Sequence, residues 1–361
     1  MPKVLLTGGG TAGHVTPNIA LLPYLKKAGC EVEYIGSYDG IEKELIEKEG
    51  IPYTGIDSGK LRRYLSAKNI SDLFHIQKGL HEARHYIKES RPDVVFSKGG
   101  FVTVPVVEAA REQHIPVVIH ESDLSPGLAN RLSIPAASVI CYNFPETEKY
   151  LSDSRITGKI IHTGLPVRDE LFTGSAQKGR ALCGFDDDRP VLLVMGGSLG
   201  AVNVNNAVWE GLEGLLERFQ VAHICGKGKT DAGISHPGYV QFEYVNEDLK
   251  DLMAACDLMI SRAGANAVWE IAALHKPALL IPLGSEASRG DQILNANSFK
   301  NLGYSEVITE DGLTGASLDS AVFDLWENRE SYIEAMKKAG AGGAAERVAK
   351  IIIDQISAKK Q

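Results

Sequence analysis

A glycine turn following an apolar run occurs twice in this chain, at corresponding places in two similar halves. The first is Gly8-Gly9-Gly10-Thr11-Ala12-Gly13-His14, after Val4-Leu5-Leu6; the second is Gly196-Gly197-Ser198-Leu199-Gly200-Ala201, after Val191-Leu192-Leu193-Val194. Each reads as a buried parallel strand that turns through glycines into a helix, which aims backbone N–H groups and a helix N-terminus at an anion. Two such turns half a chain apart predict two Rossmann-like α/β domains facing each other across a cleft. Only the first turn carries a histidine, so the two halves are expected to do different jobs.

The remaining pattern agrees. At about 100–200 residues per domain, a chain of this length holds two domains, each with its own core. Strands are expected at residues 3–7, 31–35, 93–97, 116–120, 138–141 and 159–163, then at 190–195, 221–225, 240–244, 258–261, 278–281 and 305–308. Several are continuous Val/Ile/Leu runs, as in strands covered on both faces, and their alternation with helices implies right-handed parallel crossovers. The connector Gly164-Leu165-Pro166-Val167-Arg168 separates the two series. The expected division is therefore 1–163, 164–340 and a C-terminal helix within 341–361. Ligands of such sheets bind beyond the C-terminal strand ends, where most of the unusual residues lie.

Charge and composition exclude several classes. The formal net charge is −8, and residues 1–163 hold 19 basic and 19 acidic side chains, so the excess acid belongs to the second half. That balance argues against a nucleic-acid partner. The five cysteines (Cys30, Cys141, Cys183, Cys225, Cys256) are scattered without C-x-x-C spacing and read as reduced, buried thiols. No apolar stretch reaches the ~20 residues of a membrane span, and no signal-peptide core is present, so a cytoplasmic chain is expected. No His, Cys or carboxylate cluster has metal-ligand spacing, and Asp186-Asp187-Asp188 reads as a solvated turn, so no metal or other cofactor is expected. Residues 60–88 stand apart: they are rich in Lys, Arg and His, with Ile70, Leu73, Phe74, Leu80 and Ile87 at helical spacing. They fit a basic amphipathic helix on anionic lipid, or a packed helix with a solvated basic face. Leu61-Arg62-Arg63-Tyr64-Leu65 is the better candidate for lipid contact.

The candidate chemistry sits at strand ends. His14 closes the first glycine turn, where a nearby helix N-terminus favours a neutral imidazole able to take a proton; it is read as a catalytic base, with a structural histidine as the alternative. Ser97-Lys98-Gly99-Gly100 forms a third glycine turn after a strand. His120-Glu121-Ser122-Asp123 emerges from the next strand, and Ser125-Pro126 is expected to cap and open the helix carrying Asn130. In the second half, the helix after Ser261-Arg262-Ala263-Gly264 is apolar except for Asn266 and Glu270, four apart on one face. A carboxylate there needs partners, either a structural donor or ligand hydroxyls such as a ribose diol. Gln292 and Asn295 share a face of the following helix.

Taken together, GGGTAGHVTP, SKGGFVTVPV, HESDLSPGLAN, GLPVR, GGSLGA, SRAGANAVWE and DQILNA resemble, in order and over nearly the whole chain, the MurG family of glycosyltransferases. The resemblance implies a GT-B fold, with the C-terminal helix packing back on the first domain, an inverting, metal-independent reaction and work at the cytoplasmic membrane face. The substrates it implies are UDP-N-acetylglucosamine as donor and lipid I as acceptor, with an anionic membrane surface as partner. It implies that His14 is the base for the acceptor's 4-hydroxyl and that Gly197, Ser198 and Arg168 lie at the donor diphosphate. Tyr244 and Val245 would read the uracil edge, Glu270 the ribose and Gln292 the sugar, with Arg262 and Gly264 in the same donor region. Thr11, Ala12, Gly13, Lys98, Gly99, Gly100, Glu121, Asp123 and Asn130 fall on the acceptor side. Ala12, Asp123 and Asp291 depart from the family's commoner glycine, asparagine and glutamine. Other readings on the same architecture are a diacylglycerol glucosyltransferase, a UDP-N-acetylglucosamine 2-epimerase and an inactive nucleotide-sugar-binding scaffold. A dinucleotide dehydrogenase is disfavoured, because neither turn is a G-x-G-x-x-G with a suitably placed acid.

Overall fold

The computed structural model describes residues 1–59, 68–152, 154–197, 200–284, 290–340 and 342–359, with the side chains of 68–74 and 359 excepted. The chain forms two compact units, one of residues 1–168 with 343–361, the other of residues 169–342. The connector 164–168 thus groups with the first unit.

The first unit is built on a seven-stranded parallel sheet. Its strands are β1 (Lys3–Thr7), β2 (Glu31–Ser37), β3 (Tyr53–Ile56), β4 (Val94–Ser97), β5 (Val117–Glu121), β6 (Val139–Tyr142) and β7 (Lys159–His162), in the spatial order β3-β2-β1-β4-β5-β6-β7. The second unit holds β8 (Val191–Met195), β9 (Gln220–Ile224), β10 (Tyr239–Phe242), β11 (Leu258–Ser261), β12 (Ala278–Leu280) and β13 (Ser305–Val307), in the order β10-β9-β8-β11-β12-β13. Both sheets are covered on both faces, so Val4, Leu5, Leu6, Leu192, Leu193 and Val194 are fully buried and no polar alternation marks these strands. Twelve strands coincide with the apolar runs. The thirteenth, β3, is a short edge strand, and Pro52 and Gly55 leave it without a continuous apolar run.

The order places function. β1 lies between β2 and β4, and β8 between β9 and β11, so each glycine turn leaves the strand at which its sheet reverses direction. That is the switch point where open α/β sheets form ligand crevices.

The C-terminal helix Ala344–Lys359 belongs to the first unit. Ala345, Val348, Ala349, Ile352 and Ile356, on one face, join Val4, Leu6, Leu21 and Leu25 in a single core cluster. Arg347 at its start donates to the Thr163 carbonyl at 3.0 Å. The helix Lys68–Ser90 also packs here: Ile87 is buried and Leu80 lies against the other core cluster. Several of its basic groups are paired within the unit. Lys78 lies 3.3 Å and His75 2.9 Å from the Asp57 carboxylate, and Arg84 lies 2.5 Å from Glu112. The 61–65 lipid-contact candidate and the side chains of Ile70, Leu73 and Phe74 lie outside the described residues. Among the described residues, no helix is long and apolar enough to cross a membrane. All five cysteines are unpaired, with Cys183 partly exposed and the others buried. Asp187 pairs with Arg189 at 2.7 Å at a solvated turn.

Candidate functional site

In the first unit, the β1 turn is held from three sides. The Glu42 carboxylate accepts from the Gly10 N–H at 3.1 Å and the Ser37 N–H at 3.0 Å. The buried Tyr34 hydroxyl donates to the Gly8 carbonyl at 2.8 Å, and the Gly9 N–H donates to the Gly99 carbonyl at 3.2 Å. The last contact joins two of the sequence-predicted glycine turns. Residues Ala12–His14 form one helical turn before the helix Thr16–Lys27, and Asn18 in that helix donates to the His14 carbonyl at 3.1 Å.

His14 is half-buried, and its Nδ1 lies 2.9 Å from the Gly9 carbonyl oxygen. A carbonyl only accepts, so Nδ1 must carry the proton in this contact. The basic nitrogen of the neutral ring is then Nε2. The same glycine turn that supplies the approach thus also sets the tautomer a general base needs. Thr11 is exposed; Ala12 and Gly13 are half-buried beside it.

The β5 loop has a different organiser from the one its sequence indicates. Ser125 does not cap the following helix, which runs Leu128–Ser133 with Gly127 at its cap position. The buried Glu121 carboxylate does the pinning instead, accepting from the Asp123 N–H at 2.9 Å, the Gly127 N–H at 3.2 Å and Asn130 Nδ2 at 2.8 Å. Burial raises its pKa, Asp123 adds to the rise, and the hydrogen bonds and Lys98 only partly oppose it. Asn130 also faces Gly99: a Cβ on that glycine would stand 3.3 Å from Asn130 Oδ1. Lys98, Gly99, Glu121, Asp123 and Asn130 therefore form one cluster. His120 stands apart from it as a structural residue, fully buried with Nε2 bonded to the Gly164 carbonyl at 3.0 Å and its pKa well below the ordinary value through burial and Lys98.

Lys98 is 1% exposed and donates to the Ser122 hydroxyl. Burial brings its ammonium down to about 8, against the upward pull of Glu121 and Asp123. Its folded pKa lies below the ordinary 10.5, so between these values the unfolded chain binds more protons than the folded one. Stability from this group therefore rises as pH rises through that window. Relative to Lys98→Met, the wild type is expected to gain up to about 3 kcal/mol between pH ~8 and ~10.5. Denaturant titration of both proteins across that range checks this; a difference independent of pH contradicts it.

In the second unit, Gly197 lies in the turn after β8, while Ser198 is outside the described residues. Gly264 caps the helix Ala265–Ala273, which carries Asn266 and Glu270, both half-buried. The neighbouring helix Asp291–Asn301 is tied to two strand ends: Gln292 accepts from the Leu283 N–H at 3.0 Å, and Asn295 donates to the Ala263 carbonyl at 3.1 Å. Arg262 is buried and committed to the protein, donating to the Ile281 carbonyl at 3.0 Å and pairing with Glu310 at 2.5 Å. Tyr244 is 64% exposed and Val245 half-buried, both beyond the end of β10, which stops at Phe242 rather than at residue 244. Arg168, half-buried, groups with the first unit, whereas the other residues expected on the donor side lie in the second.

Comparison with known proteins bears on both units. Residues 4–141 match the glycosyltransferase family 28 N-terminal domain, and residues 191–354 match the family 28 C-terminal domain. A Lachnospira eligens protein named UDP-N-acetylglucosamine–N-acetylmuramyl-(pentapeptide) pyrophosphoryl-undecaprenol N-acetylglucosamine transferase is 57% identical over 98% of this chain and 99% of that protein. A Clostridium botulinum protein of the same name is 52% identical over 98% of this chain and 99% of its own length. The crystal structure of Acinetobacter baumannii MurG aligns with a TM-score of 0.76 at 28% identity, covering 98% of this chain and 100% of that one. The chain belongs to the MurG family. The MurG fold, GT-B, accounts for the two Rossmann-like units and their switch-point turns.

Within this MurG-family chain, Glu42, Tyr34 and Asn18 brace the β1 turn and Glu310 binds Arg262 in the β11 turn, and none of the four stands out in the sequence. Their bonds to Gly10, Gly8, His14 and Arg262 span 32, 26, 4 and 48 positions respectively. Glu42 sits in the charged segment IEKELIEK, where one more glutamate carries no signal. Its complete burial is what sets it apart.

Proposed function

We propose that this chain transfers N-acetylglucosamine from UDP-N-acetylglucosamine to the 4-hydroxyl of the N-acetylmuramyl sugar of lipid I, forming lipid II. The near-full-length identity of 57% to a transferase of that name carries the reading, and the geometry of His14 supplies a base for it. His14 Nε2 takes the hydroxyl proton as the oxygen attacks the donor's anomeric carbon. The bond from that carbon to the diphosphate breaks, UDP departs, and the new linkage is β-1,4 with inversion. Negative charge growing on the diphosphate is met by backbone N–H groups of the β8 turn, the helix N-terminus beyond it and Arg168. Glu270 takes the ribose hydroxyls, Tyr244 and Val245 the uracil edge, and Gln292 the transferred sugar. On the acceptor side, residues 11–13, Lys98, Gly99, Gly100, Asp123 and Asn130 shape the surface, with Glu121 holding the loop. No divalent metal takes part. An undecaprenol-linked acceptor requires the enzyme to work peripherally at the cytoplasmic face of the membrane.

Incubation with UDP-N-acetylglucosamine and a lipid I analogue in EDTA tests this. The expected product is one N-acetylglucosamine heavier than the acceptor, with a β-anomeric signal by NMR. An α-linked product, or dependence on added metal, contradicts the mechanism. Recovery of free N-acetylmannosamine would indicate the epimerase chemistry instead.

A further inference from the structure

Glu310 lies three residues beyond β13, the edge strand of the second sheet, and nothing in the proposed chemistry uses it. Its carboxylate nonetheless meets three other strand-end segments. Arg262, in the turn after β11, pairs with it at 2.5 Å; Asn203, at the start of the helix after the β8 turn, donates to it at 3.2 Å; and the Gly284 N–H, beyond β12, donates to it as well. Arg262 extends the connection by donating to the Ile281 carbonyl at 3.0 Å. The side chains of the ion pair are only 10% and 14% exposed, so each charge depends on the other for compensation. Burial alone would raise the Glu310 pKa, but the pairing with Arg262 and the accepted hydrogen bonds outweigh it and hold the group ionised.

The segments joined in this way are those on which the donor-side residues sit. The β8 turn carries Gly197, the β11 turn leads through Gly264 into the helix of Glu270, and the β12 segment is bonded through Leu283 to Gln292. We propose that Glu310 is a positioning residue for nucleotide-sugar binding, fixing the spacing of these three segments through Arg262, Asn203 and Gly284. The inference rests on the reading of the second unit as the UDP-N-acetylglucosamine site. Glu310 touches no substrate itself. Its role is to keep diphosphate, ribose and sugar contacts in one register, which a hydrogen-bonded neutral side chain does less rigidly.

The test uses the full-length chain with Glu310→Gln, Glu310→Asp and Glu310→Ala. It measures UDP affinity by calorimetry, steady-state constants for both substrates, and melting temperature. For Glu310→Gln, UDP Kd and donor KM are expected to rise about tenfold, with acceptor KM and kcat within about twofold of wild type. Glu310→Asp should recover part of the donor affinity, because it restores the charge. A purely structural role would lower the melting temperature and leave donor KM unchanged. Should Glu310→Ala fail to fold, Glu310→Gln, which keeps the shape, decides the matter. Donor KM and UDP Kd within twofold of wild type in Glu310→Gln, with an active wild type, overturn the inference alone. A wild type that neither binds UDP nor transfers sugar overturns the functional reading, and the inference with it.

Discussion

His14→Ala is expected to lower acceptor-dependent turnover by about 10²–10⁴-fold while leaving UDP affinity within about twofold of wild type. The range is what a positioned general base contributes, and the geometry explains why this histidine qualifies. Its Nδ1 proton is engaged by the Gly9 carbonyl at 2.9 Å, so the ring has one orientation and one basic nitrogen. Alanine removes both that nitrogen and the ring contact with the Gly9 carbonyl that ties the β1 turn to its own helix start. UDP affinity should survive, because apart from Arg168 the residues proposed to bind the donor belong to the second unit. A split of this kind, in kcat but not in nucleotide binding, separates a base from a folding defect. Steady-state kinetics with calorimetric UDP titration measure it; a variant retaining full turnover removes His14 from the chemistry.

Gly100→Ala is expected to be nearly as damaging, by a different route. Gly100 has φ +93°, and a Cβ there would stand 2.2 Å from the Gly9 carbonyl oxygen. That oxygen is the acceptor of the His14 proton. Backbone strain and overpacking against a main-chain atom together cost about 3–5 kcal/mol, since neither side can move cheaply. The melting temperature of the first unit should fall by about 10 °C. Turnover should fall by at least the tenfold that about 1.4 kcal/mol of misplacement of the proposed base, His14, implies. Gly10→Ala is the internal control. Gly10 has a similar φ of +84°, yet nothing lies within 4 Å of its Cβ position. It should show only the left-handed backbone penalty of about 1–2 kcal/mol. Equal melting temperatures for the two variants would show that the contact with Gly9 carries no energy.

Both predictions depend on features with very different visibility in the sequence. The strands were legible because parallel strands buried on both faces read as plain Val/Ile/Leu runs, and β3 escaped because Tyr53-Thr54-Gly55-Ile56 is short, lies at an edge and contains a glycine. The glycine turns were legible because only a narrow set of residues permits that backbone. Their supports were not. Glu42, Tyr34 and Glu310 reach the site across 32, 26 and 48 residues of sequence, and nothing local distinguishes them from ordinary helix, strand or loop residues. The Ser125 cap failed for a related reason. Its sequence context is a good capping signal, but the buried Glu121 carboxylate is a stronger acceptor for the same loop's N–H groups. Arg262 shows the converse: a residue that the family resemblance puts in the donor region has its guanidinium engaged by Glu310 and the Ile281 carbonyl.

The most direct measurement is UDP release from UDP-N-acetylglucosamine by the wild type, with and without a lipid I analogue. Transfer with His14 as base predicts release only when the acceptor is present, in equal amount to the glycosylated lipid formed. Release without acceptor, or free sugar as product, would contradict it.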